Sequence, residues 1–310
     1  MQDIKMGLFG VGYFGSFHLN NLLKTQFNVI GFFDSDNHKS DMISEKFGVE
    51  KYSDPDKLLE DCDAIDITTP TTYHFEILKK AISKGKHVFV EKPMTLNLYE
   101  AEKIKDLALK SGCILQVGHI ERYNPVIANL DINSSEIICI EANRFSIYNP
   151  RGTDVSVVFD LMIHDIDLVL YLLGDNITDI MASGYTKFGN NLEFASATLC
   201  FQNGSKATLN SSIVHPYLER NMKIWTRDKY YELDLGKKNT EVYWYLSSPD
   251  HKMNIMSKKE SREYATTNSI LEELNDFYDS ISKGTAPRVN VTDGYNAVKL
   301  AELIQNKIIK

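Results

Sequence analysis

Three glycines in the spacing GxGxxG constrain this chain more than any other feature. Gly10-Val11-Gly12-Tyr13-Phe14-Gly15 follows directly on a short run, residues 3–9, with Ile4, Met6 and Leu8 at period two. A strand that ends in such a turn and opens into a helix brings unprotected backbone N–H groups to the helix N-terminus. Only glycine allows the tight turn and the close approach of backbone to a pyrophosphate. Asp34 closes the next strand-like run, NVIGFF at 28–33, 24 positions after Gly10. A carboxylate there suits the hydroxyls of an adenosine ribose. The residues that follow, Ser35-Asp36-Asn37, include a second acid and no arginine, so a 2′-phosphate would be repelled. The pattern predicts an NAD site in preference to an NADP site. Gly10, Gly12, Tyr13, Phe14, Gly15 and Asp34 are its expected contacts.

The rest of the first half repeats the strand–helix alternation. AIDIT (64–68), KHVFV (86–90) and CILQV (113–117) are short and rich in β-branched or aromatic residues, separated by helix-sized gaps. Residues 97–111 place Leu98, Ala101, Ile104 and Leu107/Ala108 on one stripe, and 74–84 do the same with Ile77, Leu78, Ala81 and Ile82. Strand–helix–strand repetition implies right-handed crossovers and a doubly wound parallel α/β sheet, a Rossmann domain over residues 1–119.

After about residue 120 the pattern changes. One amphipathic helix is predicted at 160–173, then strand-like runs at 136–147, 193–201, 205–214, 220–226, 229–235 and 241–246. Gln202-Asn203-Gly204 carries a hairpin signal. The stretch 247–268 is polar and patternless and reads as a long loop. Residues 120–310 are therefore expected to form an α+β domain with a large, mostly antiparallel open sheet, the final helix at 293–309 packing on either domain. A formal charge of −8 argues against coating nucleic acid or an anionic membrane, and no apolar stretch has the length of a membrane span. MQDIKMGLFG lacks the basic-then-apolar pattern of an export signal. The four cysteines lie far apart without a CxxC pair, so neither a thiolate zinc site nor a disulfide framework is indicated. A reduced, cytoplasmic chain is the expectation.

Four further segments complete a recognisable set. Thr68-Thr69-Pro70 with His74 ends the third strand, Glu91-Lys92-Pro93 the fourth, and GHIERYNP (118–125) follows the fifth; Asp160-Leu161-Met162-Ile163-His164-Asp165 opens the later helix. Together with the glycine turn, and in this order over nearly the whole chain, they resemble the Gfo/Idh/MocA (glucose-fructose oxidoreductase/inositol dehydrogenase) family. The resemblance implies that Lys92 is catalytic, that its proline bond is often cis and that Glu91 approaches the nicotinamide ribose. It also implies that Thr68, Thr69, Pro70 and His74 belong to the cofactor site and that Asp160 and His164 supply the acid and base. The second domain would then provide a sugar pocket, and its open sheet would join subunits into a homodimer or homotetramer.

The chemistry of these residue types points the same way. Asp160 and His164 are four apart, on one face of a helix. Oxidising an alcohol needs a base for the hydroxyl proton; histidine titrates near neutrality, and a neighbouring carboxylate orients it. An ammonium such as Lys92 would stabilise a developing alkoxide. His164-Asp165-x-Asp167 can also be read as metal ligands of a hydrolase, but that requires an all-helical scaffold; no metal is expected. Among seven arginines, Arg122, Arg144 and Arg151 precede the His164 helix and could grip an anionic substrate, with Tyr123, Asn124, Lys92 and His164 completing the pocket. GHIERYNP and RGTDVSVVFDLMIHDID are most similar to sugar-nucleotide oxidoreductases of the UDP-N-acetylglucosamine 3-dehydrogenase type. The implied function is NAD-dependent oxidation of a ring hydroxyl of a sugar or sugar nucleotide. A free sugar or cyclitol dehydrogenase and a non-catalytic NAD-binding regulator are the alternatives.

Overall fold

A computed structural model describes residues 3–148, 155–246 and 255–308. The chain packs into two compact units, Met1–Tyr123 with Asn268–Lys299, and Asn124–Thr267 with Leu300–Lys310.

The first unit alternates as its sequence requires: β1 (Lys5–Phe9), α1 (Tyr13–Leu22), β2 (Asn28–Phe33), α2 (Asn37–Phe47), α3 (Pro55–Asp61), β3 (Ala64–Ile67), α4 (His74–Ser83), β4 (His87–Glu91), α5 (Leu98–Ser111) and β5 (Leu115–Gly118). The five strands are parallel, in the order β2-β1-β3-β4-β5. Phe9 at the end of β1 pairs with Phe33 on one side and Ile67 on the other. That register delivers Gly10, Asp34 and Thr68 side by side at the carboxyl edge. The strand order reverses there, and open α/β sheets bind ligands at such a point. Ile4, Met6, Leu8, Leu19, Leu22, Phe32 and Phe89 build the core beneath.

The division expected at residues 119 and 120 differs from the observed one. Helix 269–283 carries Leu274, Phe277 and Tyr278 on one face, and all three are buried in the first unit's core, Phe277 against Phe27 and Phe89. Burial of that apolar face fixes the helix to the first unit although the intervening chain belongs to the second.

The second unit contains α6 (Pro125–Ala128), β6 (Ile137–Phe145), a π-helical turn (Val158–Met162), α7 (Ile163–Leu173), β7 (Ile177–Tyr185), β8 (Phe194–Phe201), β9 (Lys206–Ser212), β10 (Glu219–Thr226), β11 (Lys229–Asp234), β12 (Asn239–Leu246) and β13 (Ile255–Glu263). The helix just described, α8 (Ser269–Lys283), and α9 (Val291–Ile308) follow, and the boundary between units falls within α9. The eight strands run β13-β12-β11-β10-β6-β9-β8-β7, antiparallel except for the parallel pair β6–β9. Along β6, β8, β9 and β10 buried residues alternate with partly exposed ones, and α7 packs on the buried face against β6 and β9. Gly204 adopts φ +87° in the β8–β9 connection, where the Asn-Gly pair predicted a turn.

The long loop expected at 247–268 is corrected in part, because residues 255–263 form strand β13 against β12. Its sequence, ending KKESRE, shows no apolar alternation because it is an edge strand, and charged residues are what keep such an edge from pairing further. Strand β7, at the other edge, escaped prediction for a related reason: no residue in it is fully buried. Among the described residues, no helix is long and apolar enough to cross a membrane.

Candidate functional site

Each glycine of the turn meets a different demand. Gly10 sits at φ +90°, and a Cβ there would lie 3.0 Å from the Thr69 backbone nitrogen. A Cβ on Gly15 would meet the Gly10 carbonyl oxygen at 2.1 Å. At Gly12 nothing lies within 4 Å of the added carbon, so the missing side chain leaves open space in front of α1. Gly12 is the N-cap of that helix without a side-chain cap bond, and its first turn carries no acid. The leading N–H groups and the positive end of the helix dipole therefore face that space, as a phosphate would require.

The wall is tied together by short bonds. The Thr68 hydroxyl donates to the Gly10 carbonyl (2.7 Å), and the Gly10 N–H to the Phe33 carbonyl (2.8 Å). Asp34 accepts the Val11 N–H on one carboxylate oxygen (2.8 Å) and the Asp36 N–H on the other (2.9 Å). Each oxygen keeps a further lone pair for a ribose hydroxyl. A cavity of about 560 Å³ opens here, lined by Gly10, Gly12, Asp34, Thr68, Thr69 and Pro70, with Lys39 on its wall. This set fits a dinucleotide. Lys39 went unnoticed in the sequence; its ammonium lies 3.9 Å from Asp36, so two acids face one lysine in this cavity.

Several expected cofactor contacts act from behind that surface. His74 is buried, with its ring nitrogens 2.9 Å from the Thr69 carbonyl and 3.0 Å from that of Pro93. Burial lowers its pKa, and a neutral ring donates to one carbonyl at a time. Direct cofactor contact by His74 is thus replaced by a structural role: it clasps the chain after β3 to the chain after β4. Tyr13 is 78% exposed, and Phe14 lies with its ring centroid 5.2 Å from that of His18. Glu91 ends β4 and is buried; one oxygen takes the Lys92 N–H (3.2 Å) and the other lies 3.1 Å from His18 Nε2. Lys92 is half-buried and its bond to Pro93 is cis.

In the second unit Asp160 lies in the π-helical turn and His164 is the second residue of α7. Both are half-buried. The Asp160 N–H donates to the Ser156 carbonyl (2.9 Å). A π turn is wider than an α turn, so four-residue spacing no longer implies stacking on one face as it does in an α-helix. Inserted π turns occur frequently at functional sites.

The arginines require correction. Arg144 is 3% exposed, and its guanidinium is bidentate to Asp165 at 2.8 and 3.0 Å. Arg122 is also buried, 3.4 Å from Asp293. Neither presents its charge to an anionic substrate, because each neutralises a carboxylate inside its own unit. Tyr123 donates its hydroxyl to Asp276 (2.7 Å) beneath the Arg288 guanidinium, and burial and that carboxylate raise its pKa. Asn124 caps α6 through the Val126 N–H (3.2 Å) and donates to the Leu235 carbonyl, a structural placement rather than a substrate contact. Arg151 lies outside the described residues. The metal reading of His164, Asp165 and Asp167 does not fit either, since Asp165 is paired with Arg144.

Comparison with known proteins now adds to the geometry. Residues 4–119 match the oxidoreductase family with an NAD-binding Rossmann fold, and residues 141–231 match the GFO/IDH/MocA C-terminal domain. The UDP-N-acetylglucosamine 3-dehydrogenase of Acidithiobacillus ferrooxidans is 30% identical over 283 residues, 91% of this chain and 90% of that protein. The chain belongs to the GFO/IDH/MocA oxidoreductase family. A crystal structure of the same A. ferrooxidans enzyme superposes with a TM-score of 0.92 at 28% identity, covering 99% of this chain and 98% of that one. Scyllo-inositol 2-dehydrogenase (NAD(+)) of Bacillus subtilis is 30% identical over 240 residues, 70% of this chain and 69% of that protein. Membership in the GFO/IDH/MocA family makes the chain an NAD-binding oxidoreductase. With Asp34 and Asp36 outnumbering Lys39, NAD is expected to bind at least about tenfold more tightly than NADP, roughly 1.4 kcal/mol. Equal dissociation constants by calorimetry would contradict that account of the pocket.

Proposed function

We propose that this oxidoreductase converts a ring hydroxyl of a sugar to a ketone, and that its substrate is a UDP-linked N-acetyl sugar oxidised at the 3-position. The observation that carries the reading is the extent of the similarity. The UDP-N-acetylglucosamine 3-dehydrogenase keeps 30% identity over 91% of the chain, whereas the scyllo-inositol enzyme reaches 30% over only 70% of it and the myo-inositol 2-dehydrogenase of Thermotoga maritima spans 96% at 25% identity. Bound NAD would supply the acceptor for the hydride that leaves the carbinol carbon. In this reading His164 takes the hydroxyl proton, Asp160 orients the imidazole and favours its protonated form, and Lys92 stabilises the oxygen as negative charge develops. Gly10, Gly12, Gly15 and Asp34 hold the dinucleotide.

The test is NAD reduction with UDP-N-acetylglucosamine, UDP-N-acetylgalactosamine, free N-acetylglucosamine and myo- and scyllo-inositol. The UDP sugars are expected to exceed the others in kcat/KM by about 10²-fold, since loss of the nucleotide removes binding energy used in the transition state. The product should lack two hydrogens by mass spectrometry. Preferential reduction with an inositol would move the substrate to a cyclitol. An NAD complex reduced by none of the panel would point to a regulator instead.

A further inference from the structure

Beneath the end of β4 four ionisable side chains meet out of reach of bulk solvent. His18 on α1, Asp66 on β3 and Glu273 on α8 are each 0% exposed, and Glu91 at the end of β4 is buried with them. His18 Nδ1 lies 2.8 Å from Asp66 Oδ2 and its Nε2 lies 3.1 Å from Glu91 Oε1, so both ring nitrogens face carboxylates. The Glu91 carboxylate occupies the space left by Gly118, where a Cβ would approach Oε1 to 2.7 Å. Its other oxygen accepts the Lys92 N–H. Glu273 has no hydrogen-bond partner on either oxygen, yet an oxygen of it, a ring nitrogen of His18 and an oxygen of Glu91 all lie within 4.8 Å of one another.

Three ionised carboxylates would leave a charge of −3 around a neutral imidazole and −2 around an imidazolium, a heavy cost in a buried cluster. We propose that His18 is a positioning residue for the site: it is held as an imidazolium between Asp66 and Glu91, fixes the Glu91 carboxylate and with it the Lys92 backbone, and is balanced by a Glu273 that stays protonated. This rests on the reading of Lys92 as a catalytic group and extends it to a fully buried residue on α1. The electrostatics agree. Burial alone would lower the His18 pKa, but Asp66 and Glu91 outweigh it and hold it well above the ordinary value. Burial, reinforced by Glu91, Asp66 and Asp276 against the opposing pull of His18, raises that of Glu273.

The sign of the pH dependence follows. A His18 raised in the folded state contributes stability that is complete below its unfolded value of about 6.5 and is lost as pH rises through the folded value. A raised Glu273 acts in the same direction, since the folded state must keep a proton that the unfolded chain releases above about 4.5. Stability of the first unit should therefore fall with rising pH, through Glu273 from about 4.5 and through His18 from about 6.5.

The test uses the full chain labelled with ¹⁵N-histidine, with and without NAD. At pH 8 one ring, assigned by its loss in His18→Gln, is expected to show the two-proton pattern of an imidazolium. Glu273→Gln should flatten the decline of stability that begins above about pH 4.5, an amide having no proton to lose. His18→Gln should lower kcat about 10–10²-fold with NAD affinity within threefold, and should add little in a Lys92→Ala background, as expected of a residue acting through another. A neutral His18 ring at pH 8, or a stoichiometric metal ion in the purified chain, would overturn the assignment. So would an unchanged pH profile in Glu273→Gln. The NMR and stability readouts hold whatever the substrate proves to be, so failure here and failure of the dehydrogenase reading are distinguishable; if His18→Gln fails to fold, through-space contacts of the ring to Phe14 and Phe89 assign it in the wild-type chain.

Discussion

Replacing His164 by alanine is expected to lower kcat by about 10²–10⁴-fold, and replacing Lys92 by alanine to do the same, the range typical of removing a positioned acid or base. The two residues come from different halves of the chain, but the proposed chemistry assigns them one hydroxyl: His164 takes its proton and Lys92 stabilises its oxygen. NAD affinity should scarcely change in His164→Ala, because the glycine turn and Asp34 belong to the first unit alone. Asp160→Asn should leave the fold intact, lower activity and move the pH–rate profile, since an amide cannot favour an imidazolium as a carboxylate does. The double variant Lys92→Ala/His164→Ala should be far less impaired than the product of the single effects, as expected of groups that share one transition state. Steady-state kinetics on the best substrate of the panel decides this. Full turnover in both single variants would remove the mechanism, and full turnover in His164→Ala alone would place the base elsewhere.

The second large effect is on stability. Arg144→Leu strips the bidentate guanidinium from Asp165, which is buried in the first turn of α7. Breaking a buried pair from one side leaves an uncompensated charge and costs about 3–5 kcal/mol. Arg144→Leu/Asp165→Leu should recover much of that loss, because two apolar side chains carry no desolvation penalty. Urea unfolding followed by tryptophan fluorescence isolates the effect, since both tryptophans, Trp225 and Trp244, lie in the second unit. A loss below about 1 kcal/mol in the single variant would mean that Asp165 is neutral or hydrated, and an arginine free to meet substrate would again be open.

That pair also shows how the sequence can mislead. Arg122 and Arg144 looked like an anion-binding cluster because arginine is scarce and both stand near the chemistry-bearing segments. Each in fact neutralises a carboxylate that the fold brings inside, Asp293 from 171 positions away and Asp165 from 21. Sequence separation of that kind carries no local signal. Tyr123, expected beside the substrate, is bound to Asp276 from α8 for the same reason.

What the sequence determined by itself is what depends on local rules. Period-two and helical apolar spacing marked the five parallel strands, and the glycine turn with Asp34 marked the nucleotide cavity, because those demands fall on residues adjacent in the chain. Tertiary structure decided the rest. It assigned α8 to the first unit through burial of Leu274, Phe277 and Tyr278 and made 255–263 an edge strand. It also placed a π turn at Asp160 and closed His18, Asp66, Glu91 and Glu273 into one dry cluster. A lone histidine three residues after a glycine turn is unremarkable in sequence. It acquires a charge only when three other elements bring carboxylates around it and exclude water, and that desolvation is a property of the packed chain.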